Sequence, residues 1–256
     1  MKITLVQTDI EWGKPQRNTE HIERSILAAP KSDLYVLPEM WSTGFDTTPN
    51  SIAESDDGES LHWMQAMADN LDAAVAGSIA VKEREDGKYY NRFYFVMPRS
   101  NGSDELNFVY YDKHHLFTYG GENLRYTPGE KRTVVEWRGV RFLLLVCYDL
   151  RFPKWSRNNG DYDCILYVAS WPVTRVAAWS SLLVARAIEN QCYVAGVNRV
   201  GTDPYCVYSG STQLIDPYGQ VMEKCEDNKE MTVTGNVDMD VLNAFRKKFP
   251  VLEDRD

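Results

Sequence analysis

Residues 141 to 153, RFLLLVCYDLRFP, constrain the fold more than any other stretch. Phe142 to Val146 is an unbroken apolar run too short for a typical helix, and it predicts a strand buried on both faces. The run stops at Cys147. Tyr148, Asp149 and Arg151 then turn the chain, and Pro153 has the fixed backbone angle that suits the first turn of a short helix toward Arg157. A thiol at the carboxyl end of a buried strand sits where open α/β sheets place their ligand crevices, beside backbone amides able to bind an anion. A lone cysteine more often packs as a small hydrophobe, so the assignment needs support from elsewhere in the chain.

That support comes from two more strands with the same ending. Leu34 to Leu37, in DLYVLPEM, is a short apolar run that delivers Glu39 just past Pro38. Phe108 to Tyr111 runs out at Asp112, Lys113, His114 and His115. Alone, Glu39 is an ordinary loop carboxylate and Lys113 a solvated strand cap. Three repetitions of apolar strand followed by reactive side chain make coincidence a poor explanation.

The remaining pattern mixes strands and helices. Ile3 to Gln7 predicts a strand, Ile22 and Ile26 mark a helix ended by Pro30, and Leu61, Met64, Ala68 and Leu71 repeat at helical spacing as core. Met40 to Ser60, which holds Trp41, Gly44 and Phe45, is a long loop fit to wall or lid a site. Ala73 to Val81 and Tyr90 to Pro98 form a hairpin about Asp86-Gly87. Cys164 to Ala169 is a further strand ending at Ser170-Trp171-Pro172, and a helix follows to Asn190 in which Arg186 and Glu189 form a structural ion pair. Cys192 to Asn198, a hairpin about Asp216-Pro217-Tyr218-Gly219, a strand from Met231 to Val237 and a closing helix from Met239 to Phe249 complete the chain.

Composition narrows the function. The 256 residues carry no linker, repeat or low-complexity tract, so one domain over 1–256 is expected. A formal charge of -9 argues against nucleic acid and anionic membranes, leaving small molecules as partners. The start MKITLVQTD has neither the charge pattern nor the apolar length of a signal peptide or spanning helix, and the five cysteines form no CxxC pair. A cytoplasmic protein with no metal and no cofactor is expected.

LPEMW around Glu39, YDKHHLF around Lys113 and CYDLRFP around Cys147 together resemble the nitrilase, or carbon-nitrogen hydrolase, superfamily and its Glu-Lys-Cys triad. The similarity continues through GGENLRYTPGE, SWP and ARAIENQCYV, and is greatest to the omega-amidase branch. The resemblance implies a four-layer α-β-β-α sandwich of two mixed sheets, a homodimer, and hydrolysis of the terminal amide of 2-oxoglutaramate or 2-oxosuccinamate. It also marks Glu122 as a second glutamate that orients Lys113 or assists as a base.

The chemistry needs these residue types together. An amide carbon is a poor electrophile, so attack requires an activated thiol, donors for the developing oxyanion and a proton for departing ammonia. Cys147 supplies the first and Glu39 the proton transfers, while Lys113 Nζ and the Tyr148 N–H face the oxyanion and the lysine charge favours thiolate. Trp171 and Phe45 are expected to line the acyl pocket. Arg175 is the candidate anchor for a substrate carboxylate, which would be costly to bury unpaired. Rival readings are a papain-like pair using His114 or His115, and an N-carbamoyl amidohydrolase or short aliphatic amidase of the same superfamily. Nitrile chemistry is disfavoured because Tyr148, not tryptophan, follows the thiol.

Overall fold

Two mixed sheets carry the structure, a computed structural model that describes residues 1–100 and 103–254. In chain order the first half contributes β1 (Lys2–Gln7), α1 (Pro15–Ala28), β2 (Leu34–Val36), β3 (Glu54–Ser55), α2 (Glu59–Leu71), β4 (Ala74–Lys82), β5 (Tyr89–Val96) and β6 (Phe108–Asp112). The second half adds β7 (Val134–Trp137), β8 (Val140–Val146), β9 (Cys164–Ala169), α3 (Val176–Asn190), β10 (Tyr193–Asn198), β11 (Val200–Thr202) and β12 (Val207–Ser209). It ends with β13 (Gln213–Ile215), β14 (Val221–Lys224), β15 (Met231–Asn236) and α4 (Met239–Lys248).

The first sheet runs β15-β1-β2-β4-β5-β6 with β3 beside β4, and the second runs β14-β13-β10-β9-β8-β7. Each has a parallel centre, β1-β2-β4 in one and β8-β9-β10 in the other, flanked by antiparallel strands. The alternation of side chains explains the layering. Ile3, Leu5, Val36, Phe93 and Phe95 of the first sheet face the second, where Phe95 lies 5.7 Å from Phe142 between ring centres. The intervening Val6, Tyr35, Val75 and Tyr94 face the other way and pack with Ile22, Ile26, Met64 and Ala68 of α1 and α2. On the far side, α3 lies against β10 so closely that a Cβ on Gly196 would meet Leu183 at 2.4 Å. The result is the four-layer α-β-β-α sandwich, and among the described residues no helix is long and apolar enough to cross a membrane.

One local expectation changes, and other local features are new. Pro153 does not open a helix: the helical turn is a 3-10 segment over Cys147–Arg151, starting at the thiol itself, and residues 153–156 form only a turn. No apolar periodicity follows Pro153, and Gly160 adopts φ 79°, so nothing sustains a helix there. In the stretch after Met40, Met40 to Gly44 and Asp46 are buried, β3 pairs with β4, and Phe45 and Thr47 face the pocket beside Glu39. Finally, β7, β11 and β12 are short strands that no alternation announces.

Candidate active site

Strand ends of both sheets meet at one rim. Glu39 follows β2 after the Leu37 N–H bonds the Ala76 carbonyl at 2.7 Å, and the chain then turns at Met40, φ 45°, whose N–H donates to Ser78 Oγ at 3.0 Å. Lys113 continues β6 by one residue, its N–H on the Asn91 carbonyl and its carbonyl on the Gly129 N–H, both at 3.0 Å. Gly129 is required here, since a Cβ would stand 2.1 Å from the Asp112 carbonyl oxygen. Cys147 leaves β8 with φ 46°, a conformation that side-chain-bearing residues adopt only under external constraint.

Asp149 supplies that constraint. Its carboxylate accepts from the Val146 N–H at 3.0 Å, the Tyr111 hydroxyl at 2.8 Å, and the His115 N–H at 2.9 Å, with His115 Nδ1 at 2.8 Å. The nucleophile turn is thereby tied to the strand that carries Lys113. Arg186 ties it from the other side, donating to the Leu150 carbonyl at 2.6 Å while pairing with Glu189 at 2.9 Å as the sequence predicts. Neither histidine serves the thiol: His114 stacks on Trp155 with Nδ1 2.6 Å from the Gly129 carbonyl, and His115 stacks on Phe152. The papain-like arrangement is therefore not formed.

The charged centre is fully enclosed. Lys113 Nζ lies 2.9 Å from Glu39 Oε1 and 2.9 Å from Glu122 Oε2. Asn91 Nδ2 donates to Glu39 Oε1 at 2.8 Å and to Glu122 Oε1 at 3.1 Å. The Ser170 N–H donates to Glu39 Oε2 at 2.8 Å, and the Phe117 N–H to Glu122 Oε2 at 2.6 Å. The groups that hydrogen-bond Glu122, from Lys113, Asn91 and Phe117, are all donors, and they favour its ionised form.

Burial pushes Glu122 above the ordinary carboxylate range, with Lys113 opposing and Glu39 adding to the rise. Burial alone would depress Lys113, but Glu122, Glu39 and Cys147 more than reverse this and hold the ammonium well above its usual range. The Cys147 thiol is raised, first by burial and then by the Glu39 carboxylate, with Lys113 only partly offsetting them. Lys113 favours the thiolate as its charge should, but burial and Glu39 outweigh it. The thiol keeps its proton beside a carboxylate that hydrogen-bonds it, an arrangement suited to proton removal during attack.

Glu39, Lys113 and Cys147 open onto a pocket of about 400 Å³. Phe45, Tyr148, Trp171 and Arg175 line it, whereas Glu122 sits behind Lys113, outside the lining. Phe45 places its ring 5.2 Å from Lys113 Nζ. Trp171 is both wall and core, its N–H on Asn198 Oδ1 at 2.7 Å and its indole on the Arg175 carbonyl at 2.8 Å. The Tyr148 N–H lies in the first turn of the 3-10 segment, where no preceding helical carbonyl is available. Arg175 lies over Phe117 and Arg151 over Trp171, and neither guanidinium pairs with a carboxylate among the described residues. Sequence reasoning missed Arg151 as a pocket residue, and Asn91 altogether. It also passed over the Ser170 N–H, a backbone group that no side-chain pattern could reveal. Among the described residues no group of three His, Cys, Asp or Glu side chains is placed to hold a metal.

Known proteins resemble the chain over its whole length. The carbon-nitrogen hydrolase family model matches residues 2–247. The chain is 42% identical to the omega-amidase YafV of Escherichia coli K12, over 100% of this chain and 97% of that protein. It is 35% identical to the 2-oxoglutaramate amidase of Bacillus subtilis, over 98% and 96%. Among solved structures, XC1258 of Xanthomonas campestris, a CN-hydrolase superfamily protein with an arsenic adduct in its active site, superposes with a TM-score of 0.92 at 39% identity, covering 100% of this chain and 97% of that one.

Proposed function

The chain belongs to the carbon-nitrogen hydrolase family, and from that premise we propose that it is an omega-amidase releasing ammonia from 2-oxo dicarboxylate monoamides such as 2-oxoglutaramate and 2-oxosuccinamate. The observation that carries the reading is the convergence of Glu39, Lys113 and Cys147 in a pocket that also presents two arginines without acidic partners among the described residues.

In the proposed reaction the Cys147 thiol gives its proton to Glu39 as Sγ attacks the amide carbon. Glu39 Oε1 is already occupied by Lys113 and Asn91, so the proton goes to Oε2, which besides the thiol meets one donor among the described residues, the Ser170 N–H. Lys113 Nζ and the Tyr148 N–H hold the oxyanion. Collapse breaks the C–N bond, and the proton on Glu39 passes to the leaving nitrogen, giving ammonia and a thioester. Glu39 then takes a proton from water as hydroxide attacks the thioester, and returns it to the departing sulfur. Glu122 stays ionised throughout and positions Lys113. Arg175, with Arg151, receives the distal carboxylate of the substrate.

The test is ammonia release from 2-oxoglutaramate, 2-oxosuccinamate, N-carbamoyl amino acids and acetamide. The proposed function requires the two 2-oxo acid amides to give the highest kcat/KM. A preference for the carbamoyl compounds or for acetamide would move the chain to another branch of the family.

The proposal includes one catalytic domain, a cytoplasmic location and a homodimer. Five unpaired cysteines favour a reducing compartment. Exposed Ile188, Tyr218 and Phe249 lie on one apolar surface, Ile188 against Gly219 and the Tyr218 ring 4.0 Å from Phe245, and a second copy is the occupant proposed for it. Sedimentation of Ile188→Glu as a monomer where the parent sediments as a dimer supports that face; an unchanged dimer excludes it.

A further inference from the structure

We propose that Asn91 is a positioning residue of the site: its side-chain amide holds Glu39 and Glu122 in register around the single ammonium of Lys113 and keeps the carboxylate pair ready to accept the thiol proton. This rests on Glu39, Lys113 and Cys147 being the reacting groups, but not on which amide is the substrate.

The arrangement is specific to an amide. Asn91 lies in β5 opposite Ala80 of β4, is fully buried, and carries the carbonyl that receives the Lys113 N–H at 3.0 Å. One nitrogen supplies two donors, one to Oε1 of Glu39 at 2.8 Å and one to Oε1 of Glu122 at 3.1 Å. These same two oxygens also contact Lys113 Nζ, at 2.9 and 3.1 Å. Two buried carboxylates therefore share one full positive charge, and the amide adds the donors that the ammonium cannot spare.

The orientation of the amide is fixed by its surroundings. Reversing it would set Oδ1 against two carboxylates. In the orientation observed, Oδ1 is buried with no hydrogen-bond partner among the described residues. A buried acceptor without a partner is destabilising, and a residue with only a scaffolding role at this position gains nothing from keeping one. An apolar side chain of the same size would remove that cost and leave the strand pairing intact, but would forfeit the two donors to the carboxylates. The orphaned oxygen accompanies a function of the nitrogen.

The groups that face this cluster come from every neighbouring element. Glu39 follows β2, Lys113 follows β6, and Cys147 follows β8. Glu122 and Tyr126 come from the segment after Lys113; the Tyr126 hydroxyl donates to the Asp46 carbonyl at 2.9 Å, and burial keeps the phenol neutral. Among these, Lys113 and Asn91 are the groups that donate to both carboxylates. Loss of the amide donors leaves the pair bound to Lys113 and to one backbone N–H each, so it takes up a proton at higher pH. Glu122 faces hydrogen-bond donors, so that proton settles on Glu39, and a protonated Glu39 cannot accept the thiol proton.

The experiment compares the parent with Asn91→Leu and Asn91→Asp, following carboxamidomethylation of Cys147 by iodoacetamide from pH 5 to 9 by peptide mass, with thermal unfolding as the control for fold. Asn91→Leu should remain folded, with an unfolding temperature no higher than the parent's because two buried carboxylates lose a donor each, yet alkylate at least about tenfold more slowly at pH 6, its acid limb displaced upward by roughly one pH unit. Asn91→Asp, nearly identical in shape but adding a third carboxyl group, should shift the limb further. A folded Asn91→Leu with the parent's rate and acid limb would overturn the proposal. So would slower alkylation with an unmoved limb, or failure of both variants to fold, each of which assigns Asn91 to the scaffold. Because no amide substrate enters this measurement, an error in the proposed omega-amidase activity would leave its outcome unchanged.

Discussion

Ser170 holds Glu39 by two bonds across the two sheets: its N–H donates to Oε2 at 2.8 Å and its hydroxyl to the Glu39 carbonyl at 3.3 Å. The residues are 131 positions apart, one past β2 and the other past β9, so the base is oriented by the sheet opposite to its own. The two bonds are unequal. Ser170→Ala keeps the N–H and loses only a long bond to a neutral carbonyl, and should lower stability by no more than about 1 kcal/mol while leaving kcat within about threefold of the parent. A loss of kcat beyond about tenfold in a fully folded Ser170→Ala would show that the hydroxyl, not the backbone donor, sets the carboxylate.

Cys147 is the clearest case in which chemistry and backbone geometry can be separated. Removing the thiol in Cys147→Ala should abolish ammonia release, by about a thousandfold or more, without unfolding the chain. The backbone at φ 46° adds a second expectation. Glycine meets no Cβ penalty in this region whereas alanine does, so Cys147→Gly should be the more stable of the two inactive variants, by about 1 kcal/mol in urea titration. Equal stabilities would mean that the Asp149 network, rather than the residue at 147, absorbs the whole strain.

Much of this was legible before any coordinates, and the reason is physical. Phe142 to Val146 and Leu34 to Val36 must be strands covered on both sides, and the side chain just past each lies at a sheet rim whatever the loops do. What the sequence conceals is anything that depends on which rim faces which. Asn91 looks like a polar residue inside a strand, and only the β5 to β6 register sets it beneath Lys113. The thiol looks ready to ionise beside a lysine, and only three-dimensional burial together with Glu39 shows that it keeps its proton. Pro153 gave a helix signal that a 3-10 turn over the preceding five residues overrode, because Asp149 binds its donors there.

Lys113 is the only ammonium among the described residues that pairs with Glu39 and Glu122, so Lys113→Met should cost both activity and stability. Loss of an oxyanion donor lowers kcat, by about a hundredfold or more, and a change confined to KM would contradict the assigned role. Stability should fall by about 3–5 kcal/mol at pH 8, since one partner of a buried ionic cluster is gone. The pH dependence has a definite sign. In the parent the lysine is held above its ordinary range, so its contribution is complete below that range and is lost only as pH rises through the higher folded value. Glu122 is raised by burial already, and without Lys113 it rises further; a carboxyl raised on folding is penalised as pH climbs from its unfolded value of 4.5. The deficit measured by urea titration should therefore be smaller at pH 5 than at pH 8, and the reverse order would remove the charge explanation.

Two guanidinium groups stand at the pocket without carboxylate partners among the described residues, and they differ in surroundings. Arg175 is half-buried with its charge 5.4 Å from the Phe117 ring centre, whereas Arg151 is exposed over Trp171 at 5.0 Å. Water screens an exposed charge more than a sheltered one, so Arg175 should provide most of the attraction for the distal carboxylate of a 2-oxo acid amide. Arg175→Ala is expected to raise KM for 2-oxoglutaramate by about ten- to a hundredfold, the range for a lost bond to a charged group, while an uncharged amide such as acetamide changes by less than about threefold. Arg151→Ala should give the same pattern with a smaller factor. A larger effect from Arg151 would place the carboxylate at the mouth of the pocket instead of against Phe117. Equal losses on charged and uncharged amides would mean that Arg175 only shapes the wall that Trp171 completes, through the bond from its indole to the Arg175 carbonyl.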